Sequence, residues 1–311
     1  MQKTTGVSHY CSIETMKQIL ENECLRFSDI RYLNDTTEFK EVISLIEYVL
    51  DNEQYDDKFK SFILQSKKDL KLNDYMQSYT QLSHLADQEN EQLYRTYTFS
   101  VSTDSDSLNM WNYYSESSGV NIRFNHVWNI FEGSSKREVN CYDKLNNDII
   151  ISRGVILYKD DDKYKCVKSL MDELYDVYVE VGDRLTEYAS WISYAFKDSV
   201  NHMRCFFKSK YFADEREYRF VLRIPEKILI SDENKGATVE CIKDKGLFKR
   251  GNIFIPYIDY KFNRESINKI IVNPYADRKN DIINYSINDI LWMEKYENVK
   301  VVTSNIPIRK Y

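Results

Sequence analysis

The stretch SHYCSIETMKQILENECLRF (residues 8–27) begins with a short apolar strand and continues into an amphipathic helix. A strand is predicted over GVSHYC, and Ser12 is a suitable N-cap for the helix that follows. Apolar residues then recur at helical spacing: Ile13, Met16, Ile19, Leu20 and Leu25. The strand therefore brings His9 to the point where the helix begins, as a core histidine or as part of a site.

Outward from this stretch, the chain alternates between strand and helix patterns. Strands are predicted by apolar runs and alternation at YTFSVS (97–102), GVNIRF (119–124), GVILY (154–158), EREYRFVLRI (215–224), NIFIPYI (252–258), INKIIVNP (267–274) and NVKVVTSNI (298–306). Helices are predicted over DSLNMWNYY (106–114), over 167–197 as one helix or a pair, and over SINDILWMEKY (286–296) with Ser286 and Asp289 as a capping box. The fold class is α+β.

Four prolines and eight glycines among 311 residues leave little material for a flexible linker. We therefore expect one domain over 1–311, with helical insertions at about 36–95 and 165–205. No apolar run reaches the length of a membrane span, and the N-terminus has no secretory pattern, so a soluble, cytoplasmic protein without membrane contact is expected.

Composition argues against several classes of function. The formal charge of -6, from 43 basic and 49 acidic residues, gives no overall attraction to nucleic acid, although a local basic groove is compatible with it. Six scattered cysteines and four histidines show no metal-ligand spacing, so no metal is expected. Asp104 and Asp106 form a DxD pattern, but the surrounding segment lacks a nucleotide-sugar framework and favours turn and cap roles.

The alternation at 215–224 would place Glu215, Glu217 and Arg219 on one strand face. One interpretation is a solvated face whose acids pair with neighbouring arginines. The other is a partly desolvated site, because the preceding FFKSKYFAD is rich in aromatic residues.

Four ordered segments resemble a bacterial domain-of-unknown-function family, number 2971. They are HYCSIETMKQILENECLRFSDIRYLNDTTEF, FSVSTDSDSLNMWNYYSESSGVNIRF, FKSKYFADEREYRFVL and VKVVTSNIPIR, which together run through nearly the whole chain. The family label implies no reaction.

The opening stretch is also similar to that of ADP-ribosyltransferases of the diphtheria-toxin and poly(ADP-ribose)-polymerase type. His9 matches the strand histidine and Ser12 the following hydroxyl residue, whereas Glu23 and Cys24 stand where a glycine is usual. The resemblance implies a split mixed or antiparallel sheet and NAD as the substrate. It further implies Ser100, Ser102 and Tyr113 or Tyr114 at the NAD cleft, with Glu217 as the catalytic acid.

The Glu-x-Glu spacing resembles arginine-directed toxins and would make Glu215 the residue that orients or deprotonates the acceptor. Arg26, Arg31 or Arg219 would meet the pyrophosphate. In this mechanism Glu217 stabilises the oxocarbenium-like state formed when the nicotinamide–ribose bond breaks.

The resemblance therefore implies transfer of ADP-ribose to a protein or nucleic-acid acceptor. It also implies a bacterial toxin or anti-phage effector, with an antitoxin or defence-system partner. Two alternatives remain open: an NAD glycohydrolase, and a non-catalytic sensor that binds a nucleotide or nucleic acid.

Overall fold

The structure is a computed structural model that describes residues 6–33, 38–68, 70, 94–115, 119–131, 141–144, 149–225, 229, 241–276 and 281–308. For residues 38–40 and 141–144 it describes the backbone only.

Strands and helices are mixed along the described chain. The strands are β1 (Val7–Cys11), β2 (Cys24–Asp29), β3 (Tyr94–Ser102), β4 (Val120–Phe124), β5 (Cys141–Lys144), β6 (Ile150–Val155), β7 (Glu217–Pro225), β8 (Ile242–Arg250), β9 (Ile253–Lys261), β10 (Ile267–Val272) and β11 (Lys300–Thr303). The α-helices are α1 (Ile13–Asn22), α2 (Glu38–Asn52), α3 (Asp57–Lys68), α4 (Leu108–Tyr114), α5 (Asp160–Val181), α6 (Leu185–Met203) and α7 (Ile282–Met293). Among these helices, none combines the length and hydrophobicity that crossing a membrane requires.

The strands form one branched, mostly antiparallel sheet. Its main path runs β11-β10-β4-β1-β3-β2-β9-β8, and β7, β6 and β5 extend from β3 on the other side. Among the paired strands of the described residues, only β10 and β11 are parallel, and an isolated bridge between Leu157 and Phe207 is also parallel. Helices and a mixed sheet together confirm the predicted α+β class.

The sheet splits along one edge of β3. Near the end of β3, Ser102 pairs with Ser8 of β1, whereas Thr98 and Tyr97 pair with β2. In the described residues, no pair joins positions 99–101 of β3 to either β1 or β2. β1 and β2 therefore pair with β3 at separate positions along the same edge, and the edge beside Ser100 has no strand partner in the described residues.

Two large hydrophobic cores lie in different parts of the molecule. The first joins α1 and α7 to the sheet through buried residues such as Leu20, Phe99, Phe220 and Leu291. The second joins α2, α3, α5 and α6 through residues such as Phe59 and Phe196. The helices of the two predicted insertions therefore pack against each other, although residues 36, 37, 69 and 71–93 of the first insertion lie outside the described residues.

Most predicted elements are confirmed, and the differences are local. The strand predicted at 154–158 lies at Ile150–Val155, and the final helix begins at Ile282, so Ser286 lies inside that helix. β2, β5 and β8 were not predicted, and Leu25, which was predicted at a helical position, lies in β2 because α1 already ends at Asn22. The sequence of β8 is polar and rich in lysine, and most of its side chains are exposed.

The predicted strand at 215–224 begins only at Glu217. A 3-10 helix covers Lys210–Glu215, and Arg216 has a left-handed backbone with φ 45°. Glu215 therefore does not lie on the strand face that Glu217 and Arg219 share. The prediction that this face is solvated is wrong, because all nine residues of β7 are buried, but Glu217 does pair with Arg219 as that interpretation expected.

Candidate functional site

A pocket opens where the sheet splits. Its walls come from β1, β3 and β7, and it is completed by α4, by the segment before β7 and by the end of β8. The space between the side chains is about 700 Å³, including open solvent at the mouth. The pocket brings together six residues that the sequence singled out: His9, Ser100, Tyr114, Glu215, Glu217 and Arg219.

Glu217 lies at the floor of the pocket and is 4% exposed. Arg219 holds its carboxylate with two donors, Nε at 2.7 Å from Oε1 and Nη2 at 3.1 Å from Oε2. The Ser100 hydroxyl donates to Oε1, and the Lys208 ammonium donates to Oε2 at 2.9 Å. Burial would favour the neutral acid, but Arg219 and Lys208 outweigh it and lower the pKa of Glu217 to about 2.

Lys208 connects the two acids that the left-handed turn at Arg216 separates. Its Nζ lies 2.6 Å from Glu215 and 2.9 Å from Glu217. Burial opposes the charge of this lysine, yet the two carboxylates raise its pKa above the ordinary value. Glu215 and Glu217 therefore meet at one buried ammonium group rather than along one strand face.

His9 reaches the pocket from β1 and packs on Phe99, with ring centroids 5.0 Å apart. Burial lowers its pKa to about 4, and a hydrogen bond to the backbone of Ser100 offsets only part of that shift. The imidazole is therefore neutral at pH 7 and can exchange hydrogen bonds with a ligand hydroxyl.

Tyr114, at the end of α4, is the tyrosine that lines the pocket. Its hydroxyl donates to Glu215 at 2.9 Å, and burial together with the charge of Glu215 raises its pKa. Tyr113 is 71% exposed and is not part of the lining. The sequence did not decide which of the two tyrosines faces the pocket, and in the structure it is Tyr114.

Four further residues from the sequence lie outside the lining: Ser12, Ser102, Arg26 and Arg31, the last of which pairs with Asp29 at 2.6 Å. Ser12 caps α1 by accepting a hydrogen bond from the Thr15 amide, and the buried Ser102 donates to the Glu215 carbonyl oxygen at 2.7 Å. Arg26 pairs with Asp259 at 2.6 Å and stacks on Tyr257.

Arg219, the third arginine suggested for the pyrophosphate, does line the pocket, but it is 1% exposed and pairs with Glu217. It is therefore placed to hold the acid.

Lys208, Tyr158 and Arg250 belong to the site but were not singled out from the sequence. Lys208 and Arg250 line the pocket, and the Tyr158 hydroxyl accepts a hydrogen bond from the Glu217 amide at 3.0 Å. Only Lys208 had a local signal, because it lies in the aromatic segment before Glu215. Arg250 comes from β8, which has no apolar pattern.

The DxD pattern has a structural role. Asp106 accepts hydrogen bonds from the Trp111 indole, the Ser304 hydroxyl and the Asn305 amide, and so joins α4 to the C-terminal segment. The Asp104 carboxylate accepts a hydrogen bond from the Asp106 amide. Within the described residues, no group of three or more His, Cys, Asp or Glu side chains is arranged to hold a metal ion.

Comparison with known proteins gives one match. No curated protein and no solved structure matches the chain. The model of DUF2971, a family described as a protein of unknown function, matches residues 110–220. These residues run from α4 to β7 and include Lys208, Glu215 and Glu217, so the resemblance to the DUF2971 family is confirmed over this part of the chain.

Proposed function

We propose that the pocket binds NAD and that the protein is an ADP-ribosyltransferase-like enzyme. The observation that carries this proposal is that His9, Ser100, Tyr114 and Glu217 line one pocket at the split of the sheet, although they lie far apart in sequence. A split sheet with a histidine and a glutamate beside the gap is what the ADP-ribosyltransferase resemblance predicts.

The chemistry of the lining fits the nicotinamide end of NAD. The neutral imidazole of His9 and the hydroxyl of Ser100 can bind ribose hydroxyls, and the ring of Tyr114 offers a surface for nicotinamide. Arg250, at the end of β8, would meet the diphosphate in place of the arginines suggested by the sequence.

In the proposed reaction, the bond between C1′ of the ribose and the nicotinamide nitrogen breaks. Its electron pair leaves with nicotinamide, which departs neutral, and positive charge develops on the ribose. Glu217 is ionised because of its low pKa and would stabilise that charge. The acceptor then forms a bond to C1′ and loses a proton, which Glu215 takes up.

The acceptor in this proposal is a protein or a nucleic acid, and water in its place would make the enzyme an NAD glycohydrolase. The resemblance also supports a role as a bacterial toxin or anti-phage effector.

One observation favours a non-catalytic nucleotide sensor as the second candidate: both Glu217 oxygens are already held by Arg219 and Lys208.

The test is nicotinamide release from labelled NAD by the purified protein and by Glu217→Gln. Removing the charge should lower the rate about 100-fold or more if the carboxylate stabilises the transition state. Where the label ends up, on water or on a macromolecule, separates hydrolysis from transfer.

Glu217→Gln also leaves Arg219 and Lys208 without their buried partner and could harm folding. Glu217→Asp keeps the charge and provides the control, together with thermal melts and calorimetric NAD binding for each variant. Equal turnover by Glu217→Gln would exclude the catalytic role. NAD binding without nicotinamide release by the unaltered protein would favour the sensor.

A further inference from the structure

The β8–β9 hairpin forms one edge of the sheet and ends beside the pocket. Its strands pair from Ile242 with Tyr260 to Arg250 with Ile253, and Gly251 turns the chain with φ 60°. We call residues 247–254, LFKRGNIF, the hairpin tip.

The hairpin is basic within an acidic protein. Residues 242–261 contain five Lys or Arg and two Asp, a formal charge of +3, whereas the whole chain has -6. The two acids already have partners: Asp244 accepts a hydrogen bond from the Tyr257 hydroxyl, and Asp259 pairs with Arg26. The tip itself contains Lys249 and Arg250 and no acid.

The tip also exposes large apolar side chains. Leu247 is 63% exposed, Ile253 49% and Phe254 60%. In the strand register Lys249 lies directly opposite Phe254, so a cation and an aromatic ring share one face.

This combination fits a nucleic acid better than a protein. Protein interfaces are depleted of lysine, whereas a surface for single strands pairs cations for phosphates with aromatic rings on which bases stack. An exposed ring such as Phe254 needs an unstacked base, which a single strand provides and a duplex does not.

The tip is continuous with the candidate site. Arg250 lines the pocket, and its charge lowers the pKa of Tyr114 against the larger upward effects of burial and Glu215. Lys249 and Arg250 are neighbours in β8 and project to opposite faces of the hairpin, so a single strand held on Lys249 and Phe254 would reach the pocket mouth by passing round the turn at Gly251.

We propose that the hairpin tip binds single-stranded nucleic acid and presents it to the pocket as the acceptor. The acceptor role rests on the proposed function, whereas the binding role does not.

The test is fluorescence anisotropy of the full chain with labelled 15-nucleotide single strands of DNA and RNA, and with the matching DNA duplex. The double variant Lys249→Ala/Phe254→Ala should weaken single-strand binding about tenfold or more, since it removes one phosphate contact and one stacking ring. Lys249→Ala alone should reduce the slope of log affinity against log salt by about 0.7.

The matched control is Lys300→Ala/Tyr285→Ala, which removes an exposed lysine on β11 and a 64% exposed tyrosine on α7. This control should bind like the unaltered protein. The inference is overturned if neither single strand binds, if both double variants behave alike, if the duplex binds as tightly, or if a polyglutamate peptide competes as strongly.

Nicotinamide release separates this inference from the proposed function. Lys249 and Phe254 are outside the pocket lining, so their double variant should cleave NAD normally in the absence of nucleic acid. If Glu217→Gln shows no effect but the tip variant loses binding, the NAD proposal fails and the nucleic-acid surface stands. The reverse result removes the surface and leaves the NAD proposal.

Discussion

His9 and Glu217 line the same pocket, but their surroundings favour opposite charge states. Burial keeps the imidazole of His9 neutral, whereas Arg219 and Lys208 keep the carboxylate of Glu217 ionised despite its burial. The two charge states differ because Glu217 has cationic partners that favour its ionised form, whereas burial is the largest influence on the pKa of His9. The pocket therefore places a neutral imidazole and an ionised carboxylate, which two cations already hold, in one lining.

The histidine shifts predict how stability depends on pH. Burial lowers the pKa of both His9 and His202 to about 4, from 6.5 in the unfolded chain. Between these values the unfolded chain binds protons that the folded chain does not, so the free energy of unfolding should decrease as the pH falls from about 6.5 to 4. Each histidine should contribute on the order of 1–3 kcal/mol, measured by urea unfolding at pH 7 and pH 4.5.

The double variant His9→Gln/His202→Gln is the control for this prediction. It should lose much less stability over the same interval, and an unchanged loss would contradict the assignment. Glu217 is not expected to contribute to the loss of stability between pH 7 and pH 4.5, because its pKa in the folded chain is depressed. The stabilisation that its carboxylate provides is complete above pH 4.5 and is lost only as the pH falls towards 2.

At the scale of elements, Ser12 was predicted as part of the NAD site, but its side chain caps the first turn of α1. Ser12 has an extended backbone, and its hydroxyl oxygen accepts from the Thr15 amide at 3.0 Å. Glu23 ends the same helix in a left-handed conformation with φ 52° and pairs with Arg264 at 2.7 Å. Glu23 therefore adopts a backbone that favours glycine, and an ion pair holds it there.

Ser12→Ala should lower the free energy of unfolding by about 1 kcal/mol, because one amide of the first turn loses its acceptor. It should leave the apparent affinity for NAD unchanged, since Ser12 is not in the pocket lining. Denaturant unfolding and nicotinamide-release kinetics measure the two effects separately.

Ser12→Asp supplies another capping oxygen and should restore most of the lost stability. A large rise in KM for NAD with Ser12→Ala, but no change in stability, would instead support the cofactor-binding role that the sequence suggested.

At the scale of the whole molecule, the helical core is separate from the core beneath the pocket. Phe59 is fully buried among Tyr55, Tyr175 and Tyr178, with ring centroids 5.0–5.5 Å away. The walls of the pocket come mainly from strands of the sheet. Stability and site chemistry should therefore respond differently to changes in this helical core.

Phe59→Ala should cost about 3–5 kcal/mol of unfolding free energy, since it leaves a cavity among packed aromatic rings. Phe59→Leu keeps most of the volume and should cost about 1.5 kcal/mol or less. Denaturant unfolding by circular dichroism measures both, and the rate of nicotinamide release per folded molecule should not change. A matching loss of that rate would show that the helical core supports the pocket directly.

Local patterns predicted much of the fold and part of the site. The apolar alternation of β7, the cap at Ser12 and the strand before it are confirmed, because each depends on residues close together in sequence. The start of the final helix was wrong, since Ser286 has cap chemistry but lies inside a helix that begins four residues earlier. β8 was not predicted, because an exposed strand has no apolar face to reveal it.

The side chains around the pocket depended on contacts between distant segments. The ADP-ribosyltransferase resemblance marked His9, Ser100, Tyr113 or Tyr114, and Glu217 as candidates, because each matches a short stretch of contiguous sequence. Only the packed sheet showed that Ser100 of β3 donates to Glu217 of β7 and that Arg250 of β8 reaches the same pocket. The link from Lys208 to Glu215 and Glu217 is closer in sequence, but it depends on the left-handed turn at Arg216, which no local pattern indicated. The physical reason is that periodicity is set by neighbours along the chain, whereas burial and ion pairing arise when strands distant in sequence pack side by side.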